Sequence, residues 1–343
     1  MNVTEKIFGS LNGEEIKSYT VTTKKGMEFT CIEYGCIITS IKVPDHEGNI
    51  EEIVLGFDTI DEYVDQSPYF GCIIGRNAGR IENASFELDG NMYSLSRNNG
   101  EHNLHGGPNG LDTVVWNSII KIRENEVDII FSYTSPHGEA GFPGNLNISV
   151  TYTINQNNEL LISYEANTDQ KTIVNLTNHT YFNLSGNLKR IILDHELTLK
   201  SDRYLELNSS FIPSGNEILT EGTVFDFRQG SSIKRGVVSN DPQIELVGGG
   251  YDHPFLLSTN NEKEIELLDR KSGRKLVIET DEPAVVLYTA NSLGENLLIR
   301  GRQSENYLGI CLETQKPPNR ISSFIIEANA TYRTKTKYSF QLG

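Results

Sequence analysis

"LNISVTYTINQNNELLISYEA", Leu146 to Ala166, decides the fold class. On either side of Gln156 and Asn157 the residues alternate between apolar and polar, and β-branched and aromatic side chains are frequent. That is the pattern of a half-buried strand, whose successive side chains point to opposite faces. The "INQNN" between the two halves is turn chemistry. Working outward, the same signal recurs in "SYTVTT", "EFTCIEYG", "IITSIKVP", "DIIFSYTS", "IELLDR", "KLVIET", "AVVLYTAN", "ENYLGICLET" and "RTKTKYSFQL", with turns such as "HEGN", "LDGN" and "KSGR" between them. Many short strands spaced by turns predict an all-β protein, a sandwich or barrel of antiparallel strands. The one good helical signal is "DTIDEYVDQSP", where Thr59 and Glu62 fit a capping box and Pro68 follows the end. No βαβ rhythm occurs, and the triplet Gly248 to Gly250 lacks the G-x-G-x-x-G frame, which argues against a parallel nucleotide-binding sheet.

At 343 residues the chain is long enough for two domains, although large β-sandwiches are the usual exception. Strand signals run from about residue 16 to the end without a linker or a composition break, so one β domain over 1–343 is expected. Fifteen Tyr, 14 Phe and one Trp supply a core although only 37% of residues are apolar. The net charge of -16 argues against nucleic acid or an anionic membrane as partner and leaves neutral ligands such as sugars open. The N-terminus shows no secretory pattern and no apolar run approaches a bilayer's thickness, so a cytoplasmic location is expected. The three crowded sequons at Asn175, Asn178 and Asn183 are then coincidence. Cys31, Cys36, Cys72 and Cys311 show no paired spacing, so they read as buried reduced thiols, and no metal site is expected.

Five stretches could carry chemistry. In "NLTNHTYFNLSG", Asn175 to Gly186, a strand would put Val174 and Leu176 toward a core and Asn175, Thr177 and His179 on the other face. That second face is polar and uncharged, which suits a groove for a polyhydroxylated ligand and makes Asn175 and His179 candidates. "NNGEHNLHGGPNGLD" (98–112) holds His102 and His105 in a loop, His105 being followed by two glycines that permit close approach. "GICLETQKPPN" (309–319) puts Cys311, Glu313 and Gln315 on one side of a strand end. "GGGYDHPF" (248–255) offers Asp252 and His253 in a glycine-led loop. "FGCIIGRNAGRIENASF" (70–86) offers Arg76 and Arg80, which could bind phosphate, a sugar hydroxyl or local acids.

The order and wording of these segments resemble the aldose 1-epimerase family, also called galactose mutarotases. The resemblance runs through "VLGF" (54–57), "PYFG" (68–71), "GRNAGRI" (75–81), "LHGG" (104–107), "VNLTNHTYFNLSG" (174–186), "FIPSG" (211–215), "GYDH" (250–253) and "CLETQ" (311–315). It implies a large antiparallel β-sandwich and interconversion of the α and β anomers of free aldohexoses, galactose and glucose especially, without cofactor. It also implies roles: His179 as general acid, Glu313 as general base, His105 assisting at the ring side, and Asp252 and Arg80 holding sugar hydroxyls.

Two positions depart from the family pattern. Gly79 stands where Asn often precedes the second arginine, and Val286 stands where a glutamine often holds hydroxyls. The preferred sugar therefore stays open, as does the oligomeric state. A glycoside hydrolase using Glu313 with Asp252, a non-catalytic sugar-binding protein and a hexose-6-phosphate epimerase are the competing readings. The first would leave His179 without a role, and the last would want a basic pocket that a chain of this charge does not obviously offer.

Overall fold

Because alternation gives every strand one apolar and one polar face, the chain can bury its apolar faces by stacking sheets. The computed structural model, which describes residues 1–343, does this. A nine-stranded antiparallel sheet runs in the order Asn117–Ile122, Glu126–Ser135, Leu146–Asn155, Glu159–Thr168, Thr331–Leu342, Arg274–Thr280, Ile265–Asp269, Glu196–Leu199 and Ser231–Ser232. The opening hairpin sits within it, with Val150 opposite Tyr164 and Tyr152 opposite Ile162. A six-stranded sheet orders Tyr181–Phe182, Ile310–Gln315, Ala284–Tyr288, Asp252–Leu256, Arg203–Leu207 and Pro213–Leu219. A five-stranded sheet of residues 2–52 adds its own buried face.

The core lies between these sheets. Val150, Tyr152, Ile162, Tyr164, Ile278 and Tyr338 of the large sheet and Phe255, Val285, Leu287, Ile310 and Leu312 of the six-stranded one share a 52-residue apolar cluster. Phe182 and Tyr338 meet across the two sheets with ring centroids 5.9 Å apart, and Phe29 of the N-terminal sheet meets Tyr152 edge-on at 5.6 Å. The all-β, antiparallel expectation holds. The helix Ile60–Gln66 forms where the sequence places it, capped reciprocally by Thr59 and Glu62. No helix is long and apolar enough to cross a membrane.

One expectation needs correcting. The stretch from Thr172 to Phe182 is not a single strand. It makes three two-residue pairings in succession: Thr172–Ile173 with Ile325–Ile326, Thr177–Asn178 with Ile73–Ile74, and Tyr181–Phe182 with the Ile310–Cys311 end of its neighbour. Val174 and Leu176 enter the main core as expected. Asn175 and Thr177, however, are fully buried and face no groove. Their polar atoms bond neighbouring backbone, because a crossing segment with few ladder bonds must satisfy itself and its neighbours through side chains. Asn178 and Asn183 are buried as well, so none of the three sequons is reachable.

Two further histidines are structural. His253 is fully buried, its ring 4.9 Å from that of Phe225 and 5.9 Å from that of Tyr204, and its Nδ1 accepts the Asp252 N–H. His195 is buried, accepts the Leu184 N–H at Nε2, and has Asp269, Asp194 and Arg190 as its charged neighbours. Burial lowers His195 to about 4 and His253 to about 3. Their unfolded values lie near 6.5, so the unfolded chain takes up protons first as pH falls. The stability they contribute is complete above about pH 6.5 and is lost as pH drops through their folded values. For His195 the difference is about 3 kcal/mol. Thermal melts are expected to fall steeply between pH 6.5 and 4.5. A His195→Asn variant, though less stable at pH 7, should lose less over that interval; equal slopes for the two proteins would refute the assignment.

Candidate active site

The pairing of Ala284–Tyr288 with Ile310–Gln315 builds the site. Leu287 lies opposite Leu312 and faces the core, so Val286 and its partner Glu313 face the other way. The next strand, Asp252–Leu256, pairs Asp252 with Tyr288 and Pro254 with Val286. On this second face lies a cavity of about 370 Å³, lined by Asp252, Pro254, Val286, Tyr288, Glu313 and Gln315 from the sheet. Loops close it from the sides with Tyr69, Gly79, Arg80, Asn99, His105, His179 and Phe211. Its size suits a small polar ligand.

The cavity brings together five of the six residues singled out as site candidates: His105, His179, Glu313, Arg80 and Asp252. Asn175 is outside it. Its Oδ1 accepts the Lys316 N–H at 3.0 Å and its Nδ2 donates to the Lys316 carbonyl at 3.2 Å. Thr177 Oγ1 donates to the Thr314 carbonyl at 2.9 Å. These bonds clamp the segment of His179 to the strand of Glu313. Arg76 is also elsewhere: its guanidinium is buried on Ser135 and the carbonyls of Ser135, Pro136 and Pro143. His102 takes the Asn83 N–H, and His253 belongs to the core, so neither joins the cavity.

His179 and Glu313 touch. His179 Nε2 lies 3.4 Å from Glu313 Oε1, and both side chains are almost wholly buried. The backbone of His179 is fixed on both sides, its N–H donating to Cys72 O and its carbonyl accepting from Gly71 N–H. Gly71 is obligatory there: its φ is +70°, and a Cβ would lie 2.2 Å from the Ile38 carbonyl oxygen. The other imidazole nitrogen, Nδ1, faces Cys311 Sγ at 3.6 Å. Burial pushes the Cys311 thiol up, so it stays protonated. A thiol both donates and accepts weakly, so it can follow His179 in either tautomer.

Burial sets the electrostatics. It raises the Glu313 carboxyl well above the usual range, with Asp252 pushing the same way and Arg80 opposing. It lowers His179 to about 4. Asp252 rises to about 6 for the same reason, held back by Arg80. Arg80 reaches Asp252 Oδ2 at 3.7 Å, donates from Nε to Asn99 Oδ1 at 3.0 Å, and lies over the Phe211 ring.

His105 completes the set. Its Nδ1 accepts the Gly79 N–H at 3.2 Å, and burial, helped by the nearby His179, holds it neutral. A neutral imidazole that accepts at Nδ1 carries its proton on Nε2, where it is a donor. The ligand-type atoms of His105, His179 and Glu313 lie within 4.8 Å of one another, a spacing that a metal ion also uses. An ion on Nε2 of His105 would have to displace that proton or break the Gly79 bond.

Tyr69 escaped the sequence reading. Its ring centroid lies 4.9 Å from that of His105 and 5.7 Å from that of His179, and its φ is +68°, a strained value for a bulky residue. "PYFG" was visible as a motif, but nothing in it told a site aromatic from a core one. Gln315 also lines the cavity, and there the alternation that grouped it with Glu313 was the available signal.

The family model for aldose 1-epimerase matches residues 17–339. The chain belongs to the aldose 1-epimerase family. The galactose mutarotase of Sus scrofa is 37% identical over 327 residues, which cover 94% of this chain and 92% of that protein. The aldose 1-epimerase of Haemophilus influenzae is also 37% identical, over 91% of this chain and 90% of its own. Among solved structures, a galactose 1-epimerase from Lactobacillus acidophilus NCFM superposes with a TM-score of 0.91 at 27% identity, covering 100% of this chain and 99% of that one.

The cavity charges give a direct test. Removing the negative charge of Asp252 disfavours protonation of the Glu313–His179 pair, and removing Arg80 favours it. In an NMR titration of the histidine ring nitrogens and the Glu313 carboxyl, Asp252→Asn should move the pair's titration to lower pH and Arg80→Met to higher pH, each by roughly one unit. Shifts of the same sign in both variants would contradict this electrostatic picture.

Proposed function

We propose that this chain is an aldose 1-epimerase whose cavity opens and recloses the ring of a free aldohexose, with Glu313 as base and His179 as acid. The observation that carries the roles is the 3.4 Å contact between Glu313 Oε1 and His179 Nε2 on the cavity wall. The two oxygens that exchange protons, the C1 hydroxyl and the ring oxygen, sit on one carbon. The base and acid that serve them must therefore be neighbours, and these two are.

The reacting form of the pair holds one proton as Glu313 carboxylate and His179 imidazolium; burial disfavours both charges, and the attraction across their 3.4 Å contact offsets that cost. Glu313 takes the C1 hydroxyl proton while His179 protonates the ring oxygen, so the C1–O5 bond breaks and C1 becomes an aldehyde. Rotation about C1–C2 presents the other face of the aldehyde. The ring oxygen then attacks, returns its proton to His179, and the new C1 oxygen recovers one from Glu313. Burial makes the carboxylate a stronger base and the imidazolium a stronger acid than either would be in water. His105 Nε2–H donates to an oxygen near the ring, while Arg80 and Asp252 hold hydroxyls further away. Asn175 acts on none of them directly; it keeps the strand of Glu313 in place.

The name of the porcine relative favours galactose as substrate, and the family resemblance adds glucose. Four buried, unpaired cysteines fit a reducing compartment such as the cytoplasm.

Polarimetry of freshly dissolved α-D-galactose and α-D-glucose is the test. The wild-type protein should speed mutarotation of at least one, and Glu313→Ala and His179→Ala should each lower kcat by roughly 100- to 10,000-fold while melting cooperatively. Wild-type rates in either folded variant would remove it from the mechanism. Release of nitrophenol from a nitrophenyl galactoside would instead indicate a hydrolase.

A further inference from the structure

Gln315 lines the cavity, and the proposed mechanism leaves its chemistry unused. It is fully buried on the strand that carries Glu313, two residues on and on the same face. Neither its Oε1 nor its Nε2 has a hydrogen-bond partner within the protein. A buried amide with both ends unsatisfied is costly, and such a group is kept where something else completes it. The other two amides that line the cavity are engaged: Asn99 Oδ1 accepts from Arg80, and Asn291 bonds the Val247 carbonyl and Thr289 Oγ1.

Gln315 lines the cavity with its amide buried in the wall, and its neighbours supply it no partner. Its partner across the sheet is Ala284, and beyond that lies Val286, opposite Glu313; neither can hydrogen-bond it. On the loop side stands Gly79, with φ +77°. A Cβ there would lie 2.9 Å from Pro318 Cβ and Cγ and 3.6 Å from Gln315 Nε2. A side chain at position 79 would crowd this corner. Glycine avoids that crowding.

We propose that Gln315 determines sugar specificity in this chain, its amide donating to and accepting from a hydroxyl remote from C1. The inference rests on the reading of the cavity as an aldose site. An amide presents a donor and an acceptor side by side, which matches either one hydroxyl in both roles or two adjacent hydroxyls. The contact persists through ring opening, because the remote carbons do not react. It therefore belongs to uniform binding, which sets KM and leaves kcat alone.

The experiment compares the wild-type protein with Gln315→Leu in polarimetric assays of the preferred aldohexose and its 2-, 3-, 4- and 6-deoxy analogues. Kinetic constants are separated, and thermal melts are run alongside. Gln315→Leu should raise KM for the parent sugar roughly tenfold or more with kcat within a few-fold. For at least one deoxy sugar, the wild type should already show the raised KM and the variant should add nothing. Should the leucine variant fail to fold, Gln315→Met, unbranched and of similar length, takes its place. Unchanged KM for every sugar, or a rise of the same factor for all of them, would overturn the assignment. A wild-type protein without mutarotase activity would overturn the aldose reading itself, a result distinct from an active wild type that Gln315→Leu matches.

Discussion

Leu312 and Glu313 are neighbours in the chain and face opposite worlds, one the apolar core and the other the cavity. The antiparallel register of Ile310–Gln315 against Ala284–Tyr288 enforces this division. A slip of one residue would drive Glu313 into the core and Leu312 into the cavity. The cost of burying a carboxylate among Val285, Leu287 and Tyr338 makes that slip prohibitive. The same apolar side chains that stabilise the sandwich thus aim Glu313, and the cavity inherits the rigidity of the core behind it.

His179 is aimed differently. It lies on a segment with only two-residue pairings, too short to fix a side chain through a ladder alone. Its position comes from polar side chains bonded to neighbouring backbone: Thr177 to Thr314, Asn175 to Lys316, and Asn178 to Gly71. One of these bonds ends on the strand of Glu313 and another on Lys316, just past its end. His179 and Glu313 are tied by a few buried bonds of about 3 Å, which explains how a crossing loop can hold an imidazole within 3.4 Å of a carboxyl. Cys311 adds a partner that tolerates the proton at either ring nitrogen.

How much of this was legible follows from the physics of each signal. The hairpin of Leu146 to Ala166 was readable because one face meets the core and the other meets solvent, so alternation and burial coincide. In the Asn175 to Thr180 stretch both faces are buried, and alternation no longer separates inside from outside. An uncharged polar face then has two physical meanings, a ligand groove or a set of satisfied internal bonds. Asn175 and Thr177 turned out to be the second, while His179, two residues on, reaches the cavity. Asp252 and His253 sat together in one motif, yet the strand that begins at Asp252 sends the first to the cavity and the second among aromatic rings. Motif order carried the rest, since residues as distant as Arg80 and Glu313 meet only through the sheet order, which periodicity cannot supply.

That sheet order places Thr331–Leu342 between Glu159–Thr168 and Arg274–Thr280, in the middle of the largest sheet. The strand Glu159–Thr168 therefore waits for a partner made some 180 residues later. At ribosomal rates of about 5–20 residues per second the interval is roughly 10 to 40 s. Throughout it, a hairpin edge bearing Leu160, Ile162 and Tyr164 stands unpaired, the kind of edge that recruits foreign strands. The nascent chain thus carries an unpaired strand edge through most of the second half of its synthesis.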